Sequence, residues 1–203
     1  MSNENTVQVW DILVRVFHWS LVGTFVIAYI TSEGDETLHI YAGYVVMGLI
    51  IFRVIWGFIG SRYARFSDFI YSPSAVIQYI KGLKSGQPKH YLGHNPAGGW
   101  MIVALLIGLF AISISGLMLD AAEDAKGPLA GVTVDLSVVK QAYADDDEGR
   151  SGGQSEEFWE EIHEASTNLT LLLIFLHIAG VAVSGRLHNE NLVKAMITGK
   201  KKA

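Results

Sequence analysis

Residues 162–185 read IHEASTNLTLLLIFLHIAGVAVSG. From Leu169 onward this stretch carries no Asp, Glu, Lys or Arg, and its length matches the roughly 20 apolar residues that a helix needs to cross the hydrocarbon core of a bilayer. Inside lipid a backbone must satisfy its own hydrogen bonds, so the segment is expected to be a helix. It holds two histidines, and 177 − 163 = 14 residues is close to four turns. Both rings therefore face the same way, about 21 Å apart along the axis. Ionisable side chains at such depth are rare and tend to carry function.

Working outward, three more windows read as spans: 13–30, 38–59 and 98–119. The first is the shortest, and Arg15 sits near its start, from where a long side chain can snorkel to the interface. Half of the 203 residues are apolar, and the formal net charge of −5 is segregated into short connectors between uncharged stretches. That distribution belongs to a polytopic membrane protein. The chain has no cysteine, which excludes disulfides, thiolate zinc sites, cysteine-bound iron–sulfur clusters and covalently attached c-type haem. The N-terminal segment lacks a basic run and a small-residue cleavage site, so the first apolar segment is expected to stay in the membrane. No phosphate-binding loop or nucleic-acid signature is present, and nucleic acid is not an expected partner.

Four spans place both termini on one side. Arg15, Arg53, Arg62, Arg65, Lys81, Lys84, Lys89, Arg186, Lys194, Lys200, Lys201 and Lys202, twelve of fifteen basic residues, fall on that side. The positive-inside rule then puts both termini in the cytoplasm of a multi-pass membrane protein. The cytoplasmic connector, 60–97, should contain a surface helix lying on membrane lipid: Ser72 can cap it, Pro73 suits its first turn, and Val76, Ile77, Ile80 and Leu83 share a face. The opposite connector, 120–161, is strongly acidic; Asp145-Asp146-Asp147-Glu148 and the glycine-rich residues 149–154 offer too little apolar surface to pack, and mobility is expected there. Residues 1–203 are expected to form a single transmembrane domain.

The helix directions sort the histidines by depth. The first span runs outward and the second and fourth run inward, so His18 falls in the inner half with His177, and His39 in the outer half with His163. A zinc, copper or iron ion held by protein alone would gather three or four ligands at one depth. Two pairs at two heights instead suit two haems, since a porphyrin supplies the remaining four ligands. The expected fold is thus an all-α membrane protein, a four-helix bundle with two haems stacked across the bilayer. Gly43, one turn after His39, and Gly180, three residues after His177, leave room for flat macrocycles, or else bring helices together. Arg15, Arg53 and the 93–99 turn are candidates for the inner haem's propionates, with anchoring to anionic headgroups as the alternative. His90, His94 and His188 are expected to be exposed.

Several short motifs occur in a telling order: Trp10-Asp11 followed by Arg15-Val16-Phe17-His18-Trp19, then His39-Ile40-Tyr41-Ala42-Gly43-Tyr44, Arg53-Val54-Ile55-Trp56-Gly57, Tyr63-Ala64-Arg65-Phe66, Gly93-His94-Asn95-Pro96-Ala97-Gly98-Gly99 and Leu176-His177-Ile178-Ala179-Gly180-Val181. Over nearly its whole length the chain resembles the bacterial cytochrome b561 family, which includes the b-type cytochrome subunits of nickel–iron hydrogenases. The resemblance implies two haem b groups on His18, His39, His163 and His177, and a quinone exchanging electrons near one haem, usually the inner one. It implies transmembrane electron transfer between the quinone pool and a periplasmic redox partner, either a c-type cytochrome or a hydrogenase-like oxidoreductase subunit. With two histidines per iron no open coordination position remains, so no catalytic residue is expected. A stand-alone oxidoreductase acting on superoxide or quinol is the alternative. A helical scaffold or transporter with structural histidines is a third possibility, and it would be colourless. Glu160, Glu161 and Glu164 around His163 should give the outer haem the lower potential.

Overall fold

The computed structural model of the protein describes residues 6–86, 89–124, 128–129 and 153–202. Four of its helices are long and apolar enough to cross a membrane. Helix α1 (Ile12–Thr31) starts at Asp11, whose carboxylate accepts from Val14 N at 2.9 Å. A tight turn leads to Asp35, which caps α2 (Glu36–Ile59) in the same way through Leu38 N at 3.0 Å. The short turn makes α1 and α2 antiparallel neighbours, and they pack together.

A compact connector follows, made of a 3₁₀ turn (Arg62–Ala64), a single-turn α3 (Phe66–Phe69) and the surface helix α4 (Pro73–Lys84). Ser72 caps α4 and Pro73 occupies its first turn, where the missing N–H costs nothing. Helix α5 (Pro96–Asp124) then crosses back, its first turn held by the Asn95 side chain accepting from Gly98 N at 2.8 Å. Helix α6 (Gly153–Leu187) has 35 residues, about 52 Å at 1.5 Å per residue, so it outruns a bilayer core of about 30 Å. Part of the acidic connector is thus helical: Glu156, Glu157, Glu160 and Glu161 lie in its early turns, where carboxylates favour a helix N-terminus. The Asp145–Glu148 run falls outside the described residues.

After α6, Asn191 caps a short α7 (Leu192–Thr198), which ends at Gly199 with φ +80°. Only glycine suits this position, because a Cβ would also run into Trp10 O and Gln8 Nε2. The turn delivers β2 (Lys200–Lys202) antiparallel to β1 (Thr6–Gln8). The two ends of the described chain therefore meet at one end of the bundle. Val9, Trp10 and Ala195 are buried there, with Val7, Tyr63 and Met196 packed around them.

Within the bundle, α5 and α6 form the closest pair. Glycines permit the approach: a Cβ on Gly108 would clash with the Thr170 hydroxyl at 2.5 Å, and one on Gly116 would lie 3.1 Å from the His163 ring. Val46, Ile50 and Leu109 form the apolar core that joins α2 to α5, flanked by Leu21 and Phe25 of α1. Large side chains such as Ile30, Phe58 and Phe175 are about 70 % exposed, the outward-facing surface that lipid would cover. No comparably close packing joins α6 to α1 or α2 among the described residues.

Candidate haem sites

His39 and His163 meet at the end of the bundle away from the paired termini, their ring centroids 6.1 Å apart and their planes at 78°. Each ring is held by its Nδ1. That of His39 donates to Ala28 O at 2.8 Å, a carbonyl in the last turn of α1 that also accepts from the Thr31 hydroxyl. His163 Nδ1 donates to Ile112 O at 3.1 Å, and the Ser115 hydroxyl, donating to the same carbonyl at 3.0 Å, lies 3.1 Å from that nitrogen. A neutral imidazole with its proton committed at Nδ1 presents a bare lone pair at Nε2, the form that binds a metal.

His18 and His177 occupy the other end. They lie close enough for their charges to interact, but among the described residues no ring contact joins them. The His18 ring packs edge-on against Trp19 at 5.1 Å, and its Nδ1 is buried without a partner. The structure thus brings one expected pair into ring contact and the other into proximity.

Whether these residues suit a haem can be tested on their own geometry. No group of three or more His, Cys, Asp or Glu side chains poised for a metal exists among the described residues, so an ion held by protein alone has no ligand set. A pair of imidazoles does suffice for a porphyrin iron. One metal bonded to both rings at about 2 Å would set the ring centres roughly 6 Å apart, close to the 6.1 Å between His39 and His163. A Cβ added to Gly43 or Gly180 would meet nothing within 4 Å. These two glycines therefore do not serve close helix contact, as Gly108 and Gly116 do, and the space beside them is open. The residues fit the group.

The two arginines differ. Arg15 Nη1 donates to Ile197 O, tying α1 to α7, while its Nε is buried and bare. Arg53, only 3 % exposed, donates through Nη2 to Ala64 O at 3.1 Å and leaves Nη1 without a partner. Anchoring to lipid headgroups, one of two readings of the sequence, does not suit a guanidinium buried so completely.

Two further features escape a sequence reading. His94 is not the exposed loop residue expected: its ring packs 4.4 Å from Trp10 and 4.9 Å from Phe69, and its Nδ1 is buried without a partner. Burial drives its pKa down to about 3, and Arg53, Lys201 and His177 push the same way, so the ring is neutral. His90, by contrast, is 44 % exposed and bonds Glu190 at 2.9 Å. The second feature is Asp11, which besides capping α1 accepts from Trp56 Nε1 at 3.2 Å and from the Ser61 hydroxyl. Burial alone would raise its pKa, but those bonds hold it below the ordinary aspartate value.

Four helices long and apolar enough to cross a membrane, with His39 and His163 in ring contact between two of them, define a polytopic α-helical membrane protein. More particularly, the chain belongs to the prokaryotic cytochrome b561 family, whose model matches residues 9–199. It is similar to a probable Ni/Fe-hydrogenase B-type cytochrome subunit of Rhizobium leguminosarum bv. viciae, 26% identical over 144 residues, which cover 56% of this chain and 59% of the relative. Proteins with the same description from Azotobacter chroococcum mcd 1 (26% identical, 64% and 66% covered) and Azotobacter vinelandii (26% identical, 60% and 62% covered) are similar to the same degree. The chain spans about three fifths of the length of these relatives. No solved structure matches it.

Proposed function

We propose that this chain carries electrons across the bacterial inner membrane through two bis-histidine b-type haems, between the quinone pool and a periplasmic redox partner, a c-type cytochrome or a hydrogenase-like oxidoreductase. The outer haem is assigned to His39 and His163 and the inner one to His18 and His177, with Gly43 and Gly180 clearing space beside them. Both termini, the α4 connector and the paired strands face the cytoplasm. The observation that carries this reading is the His39–His163 pair, 6.1 Å between ring centres with each Nδ1 spent on a backbone carbonyl.

A haem held by each histidine pair would supply a one-electron carrier rather than a site for oxygen chemistry. The protein's part is to fix the rings, keep them neutral and exclude water. Ala28 O and Ile112 O fix the tautomers of the outer pair. Ser115, 1 % exposed, fills the space beside His163. On the termini side, α4 turns Ile77 and Ile80 outward, 54 % and 43 % exposed, with Lys81 and Lys84 in its last turn. That combination suits a helix lying among anionic headgroups. Hydrogenase partnership rests on the descriptions of the relatives, and quinone exchange on the family resemblance.

The protein reconstituted in liposomes tests the reading. With a membrane-impermeant reductant outside and ferricyanide trapped inside, the chain should support electron transfer, and His39→Ala or His177→Ala should abolish it. Transfer that persists in both variants would refute the two-haem path.

A further inference from the structure

Arg53 and His94 share a neighbourhood. The Phe69 ring, 1 % exposed, lies 4.9 Å from the His94 ring and 5.7 Å from Arg53 Cζ. Phe66 covers the guanidinium from another direction at 5.3 Å, and Trp10 covers the imidazole at 4.4 Å. Each side chain keeps one buried nitrogen without a partner, Nη1 of Arg53 and Nδ1 of His94. Both belong to the end of the bundle where the chain ends meet, His94 through its ring contact with Trp10 and Arg53 through its bond to Ala64 O, next to Tyr63 of the same cluster.

A buried guanidinium without a counter-ion is costly, typically several kcal/mol. The acidic group whose charge reaches Arg53 is Asp11, but that carboxylate is already taken by Val14 N, Trp56 and Ser61. No ion pair to Arg53 forms among the described residues. A permanent cation and a neutral imidazole, both with a free nitrogen and both walled by aromatic rings, make a site for an anion with two oxygens. A carboxylate accepts from a guanidinium and an imidazole together. The terminal pairing of β1 with β2, and the cluster of Val9, Trp10 and Ala195 beneath it, roof this end of the bundle.

We infer that Arg53 and His94 form a carboxylate clamp, closed over by the paired chain ends, that holds a propionate of the inner haem. The clamp rests on the functional reading above, and it adds His94 and the terminal roof to the inner cofactor site. Arg53 and His94 are positioning residues here. Neutralising the propionate favours the ferrous state, so the clamp raises the inner haem's potential.

The test is an optical redox titration in a His39→Ala background, in which the remaining signal is the inner haem. Arg53→Met should lower its midpoint by the equivalent of about a tenfold change in the oxidised-to-reduced ratio, about 59 mV for one electron. His94→Leu should move it the same way by less, and Arg53→Lys and His94→Gln should restore most of the shift. The outer haem, titrated in a His18→Ala background, should not respond. An unmoved inner potential in Arg53→Met and His94→Leu, with haem retained, overturns the clamp. If those two variants fail to assemble, Arg53→Lys and His94→Gln decide through resonance Raman: a displaced propionate bending band supports the clamp, and an unchanged band overturns it. Absence of haem from the unaltered protein would instead defeat the functional reading itself.

Discussion

At the scale of single residues, what singles out His39 and His163 is the company each ring keeps. Both imidazoles give their Nδ1 proton to a main-chain carbonyl, one at a helix end and one in mid-helix. The spacing 163, 177 and the meeting of His39 with His163 could be read from the sequence, because helix period and direction leave little freedom. The carbonyl acceptors could not, since every residue carries one. The burial of His94 is hidden for a related reason: a loop position among Gly93, Asn95 and Pro96 reads as exposed, and only the packing of Trp10 and Phe69 buries it. Replacing His39 or His163 by alanine should remove the outer haem alone, and replacing His18 or His177 the inner one alone, as counted by absorbance per chain. Glu160, Glu161 and Glu164 are exposed, so any lowering of the outer potential should shrink as salt screens them. A titration at low and high ionic strength measures that convergence, and a gap independent of salt would exclude these carboxylates as its cause.

Among the elements, the four spans were legible because runs of apolar residues have few other uses, whereas their ends were less so. Helix α6 starts at Gly153, ahead of its apolar window, because glutamates suit the first turns of a helix. The glycines separate into two kinds that a sequence does not distinguish. Gly108→Leu should destabilise the α5–α6 contact by about 1–3 kcal/mol, since the new side chain must displace Thr170; thermal unfolding in detergent reads this directly. Gly43→Leu meets only open space, so it should leave the melting temperature of the haem-free protein unchanged while lowering haem content. Unaltered haem loading in Gly43→Leu would show that the space beside it belongs to lipid.

Over the whole molecule, the joining of the two chain ends could not be foreseen, because three-residue strands carry almost no pattern. It is reinforced by Glu190, which holds Lys201 at 2.8 Å and His90 at 2.9 Å. Burial would raise the Glu190 pKa, but the hydrogen bonds from Lys201 and His90 prevail and hold it below its ordinary 4.5. A carboxylate depressed in the folded state contributes stability that is complete above its unfolded value and is lost as pH falls through the folded one. Protection of the β2 amides in hydrogen exchange should therefore be steady from neutral pH down to about 4.5 and decline below it. Glu190→Gln should weaken protection at neutral pH by about 1–3 kcal/mol, because Lys201 loses its charged partner.

The proposed electron path depends on two imidazole pairs at two heights in one bundle. Its most direct measurement is the pyridine haemochrome of the protein purified in mild detergent, taken together with the His39→Ala and His177→Ala variants. The expected result is two b-type haems per chain, falling to one in each variant and to none when both substitutions are combined. A colourless protein, or one whose haem content ignores these substitutions, would contradict it.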